Sequence, residues 1–98
     1  MADEEYTEQV LSVVEQIPPG RVMSYGAIAE YLGRGGPRQV GSVMAQYGGP
    51  VPWHRVVNAS GRLVPGHEQE ALRRHRDEGT PLRGDKVDIR KAAWWPAD

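Results

Sequence analysis

Two short helical patterns flank a glycine-rich turn at residues 33–36 (Gly-Arg-Gly-Gly), and this arrangement constrains the fold more than any other feature. Ser24 is a favoured N-cap for the first helix, which presents Ile28 and Leu32 inward and ends at the turn. Pro37 suits the first turn of the second helix. Two short helices joined by a glycine turn predict a helix-turn-helix. The apolar face of the second helix consists of Val40, Val43, Met44 and Tyr47.

Proline and glycine also bound the remaining segments. Residues 18–20 (Pro-Pro-Gly) end a first helix, and Gly79 ends a charged helix that runs from about Glu68 to Glu78. Residues 51–57 are a proline-flanked, β-branched run, which predicts a loop leading into a strand or tight turn. Weak alternation over residues 86–95 predicts a short strand before an aromatic tail. We expect a single domain, residues 1–98, that is mainly α with a small β element.

Composition is that of an ordinary soluble protein, with 39% hydrophobic and 26% charged residues. No apolar run approaches the ~20 residues needed to cross a membrane. The acidic start, MADEEYTEQV, lacks a basic-then-apolar leader. We therefore expect a cytoplasmic protein, nucleoid-associated if bacterial, without a membrane partner.

The chain contains no cysteine. Disulfides, thiolate metal sites and a thiol that attacks or accepts an alkyl group are therefore excluded. We predict no cofactor and no metal.

The net charge of −1 conceals an uneven distribution. Residues 1–20 carry five acids and no bases, residues 21–62 carry five arginines and one acid, and residues 63–98 carry seven of each. A surface that faces nucleic acid is thus expected in the middle third of the chain.

The most distinctive segment is residues 52–58, Pro-Trp-His-Arg-Val-Val-Asn. It places an indole, an imidazole, a guanidinium and an amide beside a turn. Composition alone also fits a buried tryptophan in a hairpin with a solvated His-Arg pair.

The segment resembles the active-site motif of the O6-alkylguanine-DNA alkyltransferases, Pro-Cys-His-Arg-Val, with Trp53 in place of the cysteine. The resemblance covers roughly residues 6–80 and is strong because several short motifs occur in order. A branch of this family, the alkyltransferase-like proteins, commonly carries tryptophan at this position, and the chain resembles that branch most. The other matching motifs are 17–20 (Ile-Pro-Pro-Gly), 24–26 (Ser-Tyr-Gly), 38–41 (Arg-Gln-Val-Gly), 56–61 (Val-Val-Asn-Ala-Ser-Gly) and 77–79 (Asp-Glu-Gly).

The resemblance implies a winged helix-turn-helix-like DNA-binding domain, as in the C-terminal domain of the alkyltransferases. It implies a non-catalytic sensor that binds O6-alkylguanine in double-stranded DNA through the minor groove and directs the lesion to nucleotide-excision repair proteins. Tyr25 then pushes on the phosphate of the target nucleotide, and Arg38 enters the stack in its place. Trp53, Met44 and the backbone around Val56 border the flipped base.

The resemblance also assigns supporting residues. Those expected to contact the DNA backbone are Ser24, Gln39, Gly41 and Ser42. A second group matches polar residues that orient the active-site loop and relay a proton in the enzymes. Here it is a remnant that braces the loop, and it comprises His54, Arg55, Asn58 and Glu78.

Two positions depart from the family pattern. Tyr47 stands where the enzymes carry an asparagine that braces the active-site turn. Some alkyltransferase-like proteins place an arginine against the flipped guanine, but the aligned region here is 63–66, Leu-Val-Pro-Gly. Arg62 is the alternative source of such a contact.

Two other functions remain open. A sequence-specific helix-turn-helix regulator would normally dimerise to read paired half-sites, but no dimerisation helix is evident, so we expect a monomer. An enzyme in which His54 and Glu78 activate water for hydrolysis is the second alternative.

Overall fold

The computed structural model describes residues 4–96, so the predicted domain bounds of 1–98 extend slightly beyond it. The chain is mostly helical, with two small sheets, as predicted. Its elements are α1 (Glu4–Gln16), β1 (Met23–Ser24), α2 (Tyr25–Leu32), α3 (Pro37–Tyr47), a 3-10 turn (Trp53–Arg55), β2 (Val56–Val57), α4 (Glu68–Glu78), β3 (Leu82–Arg83), β4 (Lys86–Val87) and α5 (Ile89–Ala92).

The helix-turn-helix is confirmed, together with the signals that predicted it. The Ser24 hydroxyl accepts a hydrogen bond from the N–H of Ala27 at 3.0 Å and so caps α2. Gly33 ends α2 in the left-handed region, with φ 69°. Pro37 occupies the first turn of α3, and the side chain of Gln39 accepts from the N–H of Gly36 at 2.9 Å.

The main core lies where α1 packs across both helices of the helix-turn-helix. The predicted inward face is correct for Ile28, Val40 and Val43, which are buried, whereas Leu32 is only half-buried. Tyr47 differs from the prediction, since it is 45% exposed. The core ends near Met44, and the last turn of α3 borders a cleft instead. The buried cluster comprises Tyr6, Val10, Val13, Val14, Ile17, Met23, Ile28, Ala29, Val40, Val43, Val51 and Val56.

Strands β1 and β2 pair in parallel, with Met23 opposite Val56 and Ser24 opposite Val57. The predicted loop leading into a strand is therefore confirmed. This pairing places the start of α2 beside the 3-10 turn. Residues more than 25 positions apart in the chain thereby become neighbours.

The C-terminal segment was only partly predicted. Val87 lies in β4, which pairs antiparallel with β3, but Ile89 begins the short helix α5 rather than continuing a strand. The carbonyl of Asp88 accepts from the N–H groups of Lys91 and Ala92 and starts this helical turn. The apolar residues at 87 and 89 have the two-residue spacing of a strand, whereas those at 89 and 92 have the three-residue spacing of a helix. No helix within residues 4–96 is long and apolar enough to span a membrane.

The turn after β2 requires glycine at position 61. Gly61 has φ +83°, its N–H donates to the carbonyl of Asn58, and its own carbonyl accepts from Val87. A Cβ at this position would collide with the carbonyl oxygen of Val87. Gly66 has a similar φ of +85° but opens onto space.

We predict that Gly61→Ala destabilises the protein more than Gly66→Ala, as measured by urea unfolding. Both substitutions impose left-handed strain of about 1–2 kcal/mol, and only the first adds a backbone collision. The difference in unfolding free energy between the two variants therefore measures the cost of the collision. Equal losses of unfolding free energy would contradict the tight packing of this turn on β4.

Candidate functional site

A cleft of about 620 Å³ opens between the start of α2, the face of α3, the 3-10 turn and the loop before α4. Its volume is in the ordinary range for small-molecule sites, about 300–1,000 Å³. The lining is largely apolar or glycine, with few polar side chains. It comprises Tyr25, Gly41, Met44, Ala45, Gly48, Gly49, Trp53, Val64, Pro65, His67 and Glu70.

Trp53 is half-buried and forms one wall of the cleft. The ring of His67 approaches it edge-on, with centroids 5.7 Å apart. The guanidinium carbon of Arg74 lies 5.2 Å from the indole centroid, within the range of a cation–π contact. The indole is thus supported by α4 as well as by its own turn.

Tyr25 is the first residue of α2 and lines the cleft with Trp53 and Met44. Its ring is half-buried against the main core, and this burial raises the pKa of its hydroxyl. The phenol is therefore neutral at physiological pH. Its hydroxyl has no hydrogen-bond partner within residues 4–96 and is available to a ligand.

Arg38 projects from the first turn of α3 into solvent. Within the described part of the chain it forms no hydrogen bond or ion pair, so its guanidinium is unoccupied. Ser42 is also exposed, on the following turn of the helix. Both Ser24 and Gln39 use a side-chain oxygen to cap a helix.

Gly41 borders the cleft in the middle of α3. A Cβ on Gly41 would meet no atom of the protein within 4 Å, and its φ is not positive. Folding therefore gives no reason for glycine at this position. Val56 does not line the cleft, since its side chain is fully buried in the main core.

The carboxylate of Glu78 lies at the centre of a hydrogen-bond network at the end of α4. Arg55 donates to both of its oxygens, from Nη2 at 2.8 Å and from Nε at 3.2 Å. Nε2 of His54 lies 2.8 Å away, and the N–H of Gly20 donates at 3.2 Å. Arg55 also donates to the carbonyl of Ile17 at 2.9 Å. One carboxylate thus joins α4, the 3-10 turn and the end of α1.

Hydrogen bonding and burial shift the pKa values of the groups in this network in opposite directions. Burial would raise the pKa of Glu78, but the hydrogen bonds from Arg55, His54 and Gly20 outweigh it and lower the pKa from 4.5 to about 2. Burial lowers the pKa of His54 by more than Glu78 raises it. His54 is therefore neutral and donates from Nε2, because the carboxylate is acceptor-only. Its Nδ1 is buried without a hydrogen-bond partner among the described residues.

His75 connects α4 to the same turn. Its Nε2 lies 2.7 Å from the carbonyl oxygen of His54 and must be the donor. Its Nδ1 lies 2.8 Å from the hydroxyl oxygen of Thr80 and accepts a hydrogen bond from that hydroxyl. Burial lowers the pKa of His75, which keeps this tautomer neutral.

Asn58 braces the turn that follows β2. Its Oδ1 accepts from the N–H groups of Ser60 and Arg62, each at 2.9 Å. The side chain of Arg62 is exposed and does not line the cleft. Among residues 4–96 no three histidine or carboxylate side chains gather as they would around a metal ion.

Sequence reasoning missed the contribution of α4 and of its N-cap residue, His67, to the cleft. His67 and Glu70 line it, and Arg74 pairs with Glu70 through Nη2 and Oε2 at 2.6 Å. These positions are three and seven residues apart, the spacing of one helical face. The helical spacing of these polar residues was the sequence signal that could have predicted their common position at the cleft.

A helix-turn-helix with an exposed arginine, beside a cleft walled by tryptophan, defines a DNA-binding domain with an aromatic pocket. Residues 5–79 match the family model of the 6-O-methylguanine DNA methyltransferase, DNA binding domain. The chain belongs to this family, on its alkyltransferase-like branch, which confirms the predicted fold class and the sequence resemblance.

Two relatives cover nearly the whole chain. Alkyltransferase-like protein 1 of Schizosaccharomyces pombe is 37% identical over 96% of this chain and 97% of its own. A DNA base-flipping protein of Vibrio parahaemolyticus is 31% identical over 95% of this chain and 99% of its own. The crystal structure of S. pombe Atl1 in complex with damaged DNA containing O6-carboxymethylguanine superimposes with a TM-score of 0.82. That match has 32% identity and covers 98% of this chain and 100% of the other.

We predict that the protein loses stability as pH falls from 4.5 toward 2. Because the pKa of Glu78 is depressed on folding, its contribution is complete above 4.5 and is lost as the carboxylate is protonated near 2. At pH 7, Glu78→Gln should lower the free energy of unfolding by about 2–3 kcal/mol. The substitution should also flatten the acid dependence, measured by urea unfolding at pH 7 and pH 3.

The matched control is Glu70→Gln on the same helix. Its partner Arg74 is 42% exposed, so this surface pair should contribute only about 0.5 kcal/mol or less. Equal destabilisation by the two substitutions would show that Glu78 has no special structural role.

Proposed function

We propose that the protein is a non-catalytic sensor that recognises O6-alkylguanine in double-stranded DNA and holds the damaged nucleotide without repairing it. The observation that carries this proposal is the position of Trp53. It replaces the cysteine of the alkyltransferase motif and forms the wall of a cleft shared with Tyr25 and Met44. An indole cannot accept an alkyl group as a thiolate does. The chain has no cysteine elsewhere to substitute for it.

Occupying the cleft requires extrusion of the target nucleotide, at a cost of a few kcal/mol that is smaller where pairing is already weakened. O6-alkylation weakens pairing in this way. The unpaired hydroxyl of Tyr25 is suited to press on the target phosphate. Arg38, exposed and unpaired on α3, is suited to stack in the vacated position. The S. pombe relative crystallised with damaged DNA supports DNA as the ligand.

The face of α3 is suited to close approach by the minor groove. Gly41 lacks a side chain where the fold would admit one, and Ser42 beside it is exposed. Such an opening lets a sugar-phosphate backbone reach the helix. Minor-groove readout is degenerate, so we expect little dependence on the surrounding sequence.

Hydrolysis by His54 and Glu78 is disfavoured by their geometry. His54 is only 3% exposed and does not line the cleft. Its Nε2 is occupied by Glu78, and Glu78 is in turn held by Arg55. A base that activates water needs access to the substrate. The network therefore fits a bracing role.

The wider cellular role follows from the family resemblance. We propose that the protein acts in the cytoplasm as a monomer and directs the bound lesion to nucleotide-excision repair proteins. The position of the damaged base in the cleft would leave the lesion for those proteins to remove.

We predict that the wild-type protein binds a duplex with one O6-methylguanine more tightly than the same duplex with guanine. Fluorescence anisotropy titration measures both dissociation constants. Arg38→Ala and Tyr25→Phe should each weaken lesion binding by about tenfold, the equivalent of one lost contact of about 1.4 kcal/mol. Equal wild-type affinity for the two duplexes would overturn the proposal.

The matched controls lie away from the cleft. Arg76→Ala removes an exposed arginine from α4, and Tyr31→Phe removes a hydroxyl from the other end of α2. Neither should change the affinity. Mass spectrometry of nucleosides after incubation should show unchanged O6-methylguanine, whereas its conversion would reveal an enzyme.

We predict that Gly41→Ala stabilises the protein yet weakens DNA binding. Alanine is favoured over glycine inside a helix by roughly 0.5–1 kcal/mol, and the added methyl group meets no protein atom. Thermal unfolding and the anisotropy titration measure the two effects. Ser12→Ala, on the exposed face of α1, should give a smaller stability gain without loss of affinity. Unchanged DNA affinity in Gly41→Ala would contradict close contact between DNA and α3 at this position.

A further inference from the structure

Only a few polar side chains line the cleft, and two of them lie at the start of α4: one on its N-cap residue and one in its first turn. These are His67, whose ring contacts Trp53, and Glu70, whose carboxylate is paired with Arg74. Among the described residues, the other lining side chains with a polar group are Tyr25 and Trp53, which has an indole N–H. His67 and Glu70 therefore supply much of the polarity that a bound base meets.

Alkylation at O6 changes the hydrogen-bonding edge of guanine. Unmodified guanine presents two adjacent donors, N1–H and the exocyclic N2 amine, while O6 is an acceptor. The O6-alkyl base has no hydrogen on N1, which becomes an acceptor. A site that reads this edge discriminates by whether it offers an acceptor or a donor.

A free carboxylate in the cleft would select the wrong base. Its two oxygens accept hydrogen bonds only and would match the adjacent N1–H and N2 donors of unmodified guanine. It would repel the lone pair on N1 of the O6-alkyl base. An unpaired Glu70 would thus favour undamaged DNA.

Arg74 prevents this by occupying the carboxylate. Its Nη2 lies 2.6 Å from Oε2 of Glu70, and its guanidinium carbon lies 5.2 Å from the centroid of the Trp53 ring. Both partners are about 40% exposed, at 42% and 40%. An ion pair this exposed contributes little to stability, so replacing it should leave the fold intact.

His67 supplies the complementary donor. An imidazole carries at least one N–H in either tautomer, and the ring of His67 borders the cleft beside the indole. It can donate to N1 of the alkylated base, which is an acceptor there and carries a hydrogen in unmodified guanine. With Glu70 occupied, this wall of the cleft offers a donor rather than an acceptor.

We infer that the Glu70–Arg74 pair and His67 set the discrimination between O6-alkylguanine and guanine, with Arg74 withdrawing the carboxylate and His67 donating to the lesion. This inference rests on the proposed function, since it concerns the selectivity of the same cleft. It assigns a specificity role to side chains of α4 and of its N-cap residue, which the active-site motif does not contain.

The test is the ratio of dissociation constants for the guanine and O6-methylguanine duplexes. We predict that Arg74→Ala lowers this ratio by about five- to tenfold, chiefly by tightening binding of the guanine duplex, as expected for one base-specific pair of hydrogen bonds. The double variant Glu70→Ala with Arg74→Ala should restore the wild-type ratio, because no carboxylate remains. Weaker support of Trp53 alone would reduce both affinities together and leave the ratio unchanged.

The role of His67 is tested separately. His67→Phe keeps an aromatic ring against Trp53 but removes the donor, so it should weaken binding of the O6-methylguanine duplex and not of the guanine duplex. Arg76→Ala is the charge-matched control on α4 and should leave the ratio unaltered.

The outcomes separate the two proposals. A wild-type ratio of one would overturn the proposed sensor function. A wild-type preference for the lesion that persists unchanged in both Arg74→Ala and His67→Phe would overturn only the inference about α4. If the double variant does not restore the ratio, the claim that Arg74 acts by occupying the Glu70 carboxylate is wrong.

Discussion

The Glu78 carboxylate is the contact on which the arrangement of the site depends. It accepts hydrogen bonds from Arg55 and His54 in the 3-10 turn and from the backbone of Gly20 after α1. A carboxylate at this depth is stable only because these donors offset its desolvation. Through Arg55 the network extends to the carbonyl of Ile17. Segments that are far apart in the chain are thus held at one point.

This network explains how the cleft keeps its shape with tryptophan in its wall. The 3-10 turn that carries Trp53 is held by Glu78, while the parallel pairing of β1 with β2 brings Tyr25 to the same cleft as the indole. Residues that match a proton relay in the alkyltransferases thereby form a rigid support. Losing the thiol removes the reaction but not the need to position the loop. A binding pocket of the same architecture remains.

Selectivity in such a pocket arises from the hydrogen-bond donors and acceptors that its lining side chains present to the edge of a base. Trp53 provides an apolar surface that any base can meet, so it contributes affinity rather than discrimination. In our inference, polar side chains at the start of α4 add the chemical difference, through a donor on the N-cap residue His67 and a Glu70 carboxylate kept occupied by Arg74. Weak surface ion pairs contribute little to folding and can still decide which ligand fits.

Local signals were sufficient for much of this protein. The caps at Ser24 and Gly33 and the proline at the start of α3 determined the helix-turn-helix, because each acts on backbone groups within a few residues. The absence of cysteine determined that alkyl transfer to a thiol is impossible. Tertiary structure alone decided that Val56 is buried away from the cleft, that residues 89–92 form a helix, and that Arg74 lies against Trp53. These three features depend on packing between segments that are distant in the chain. A local sequence pattern does not specify how such segments are placed relative to one another.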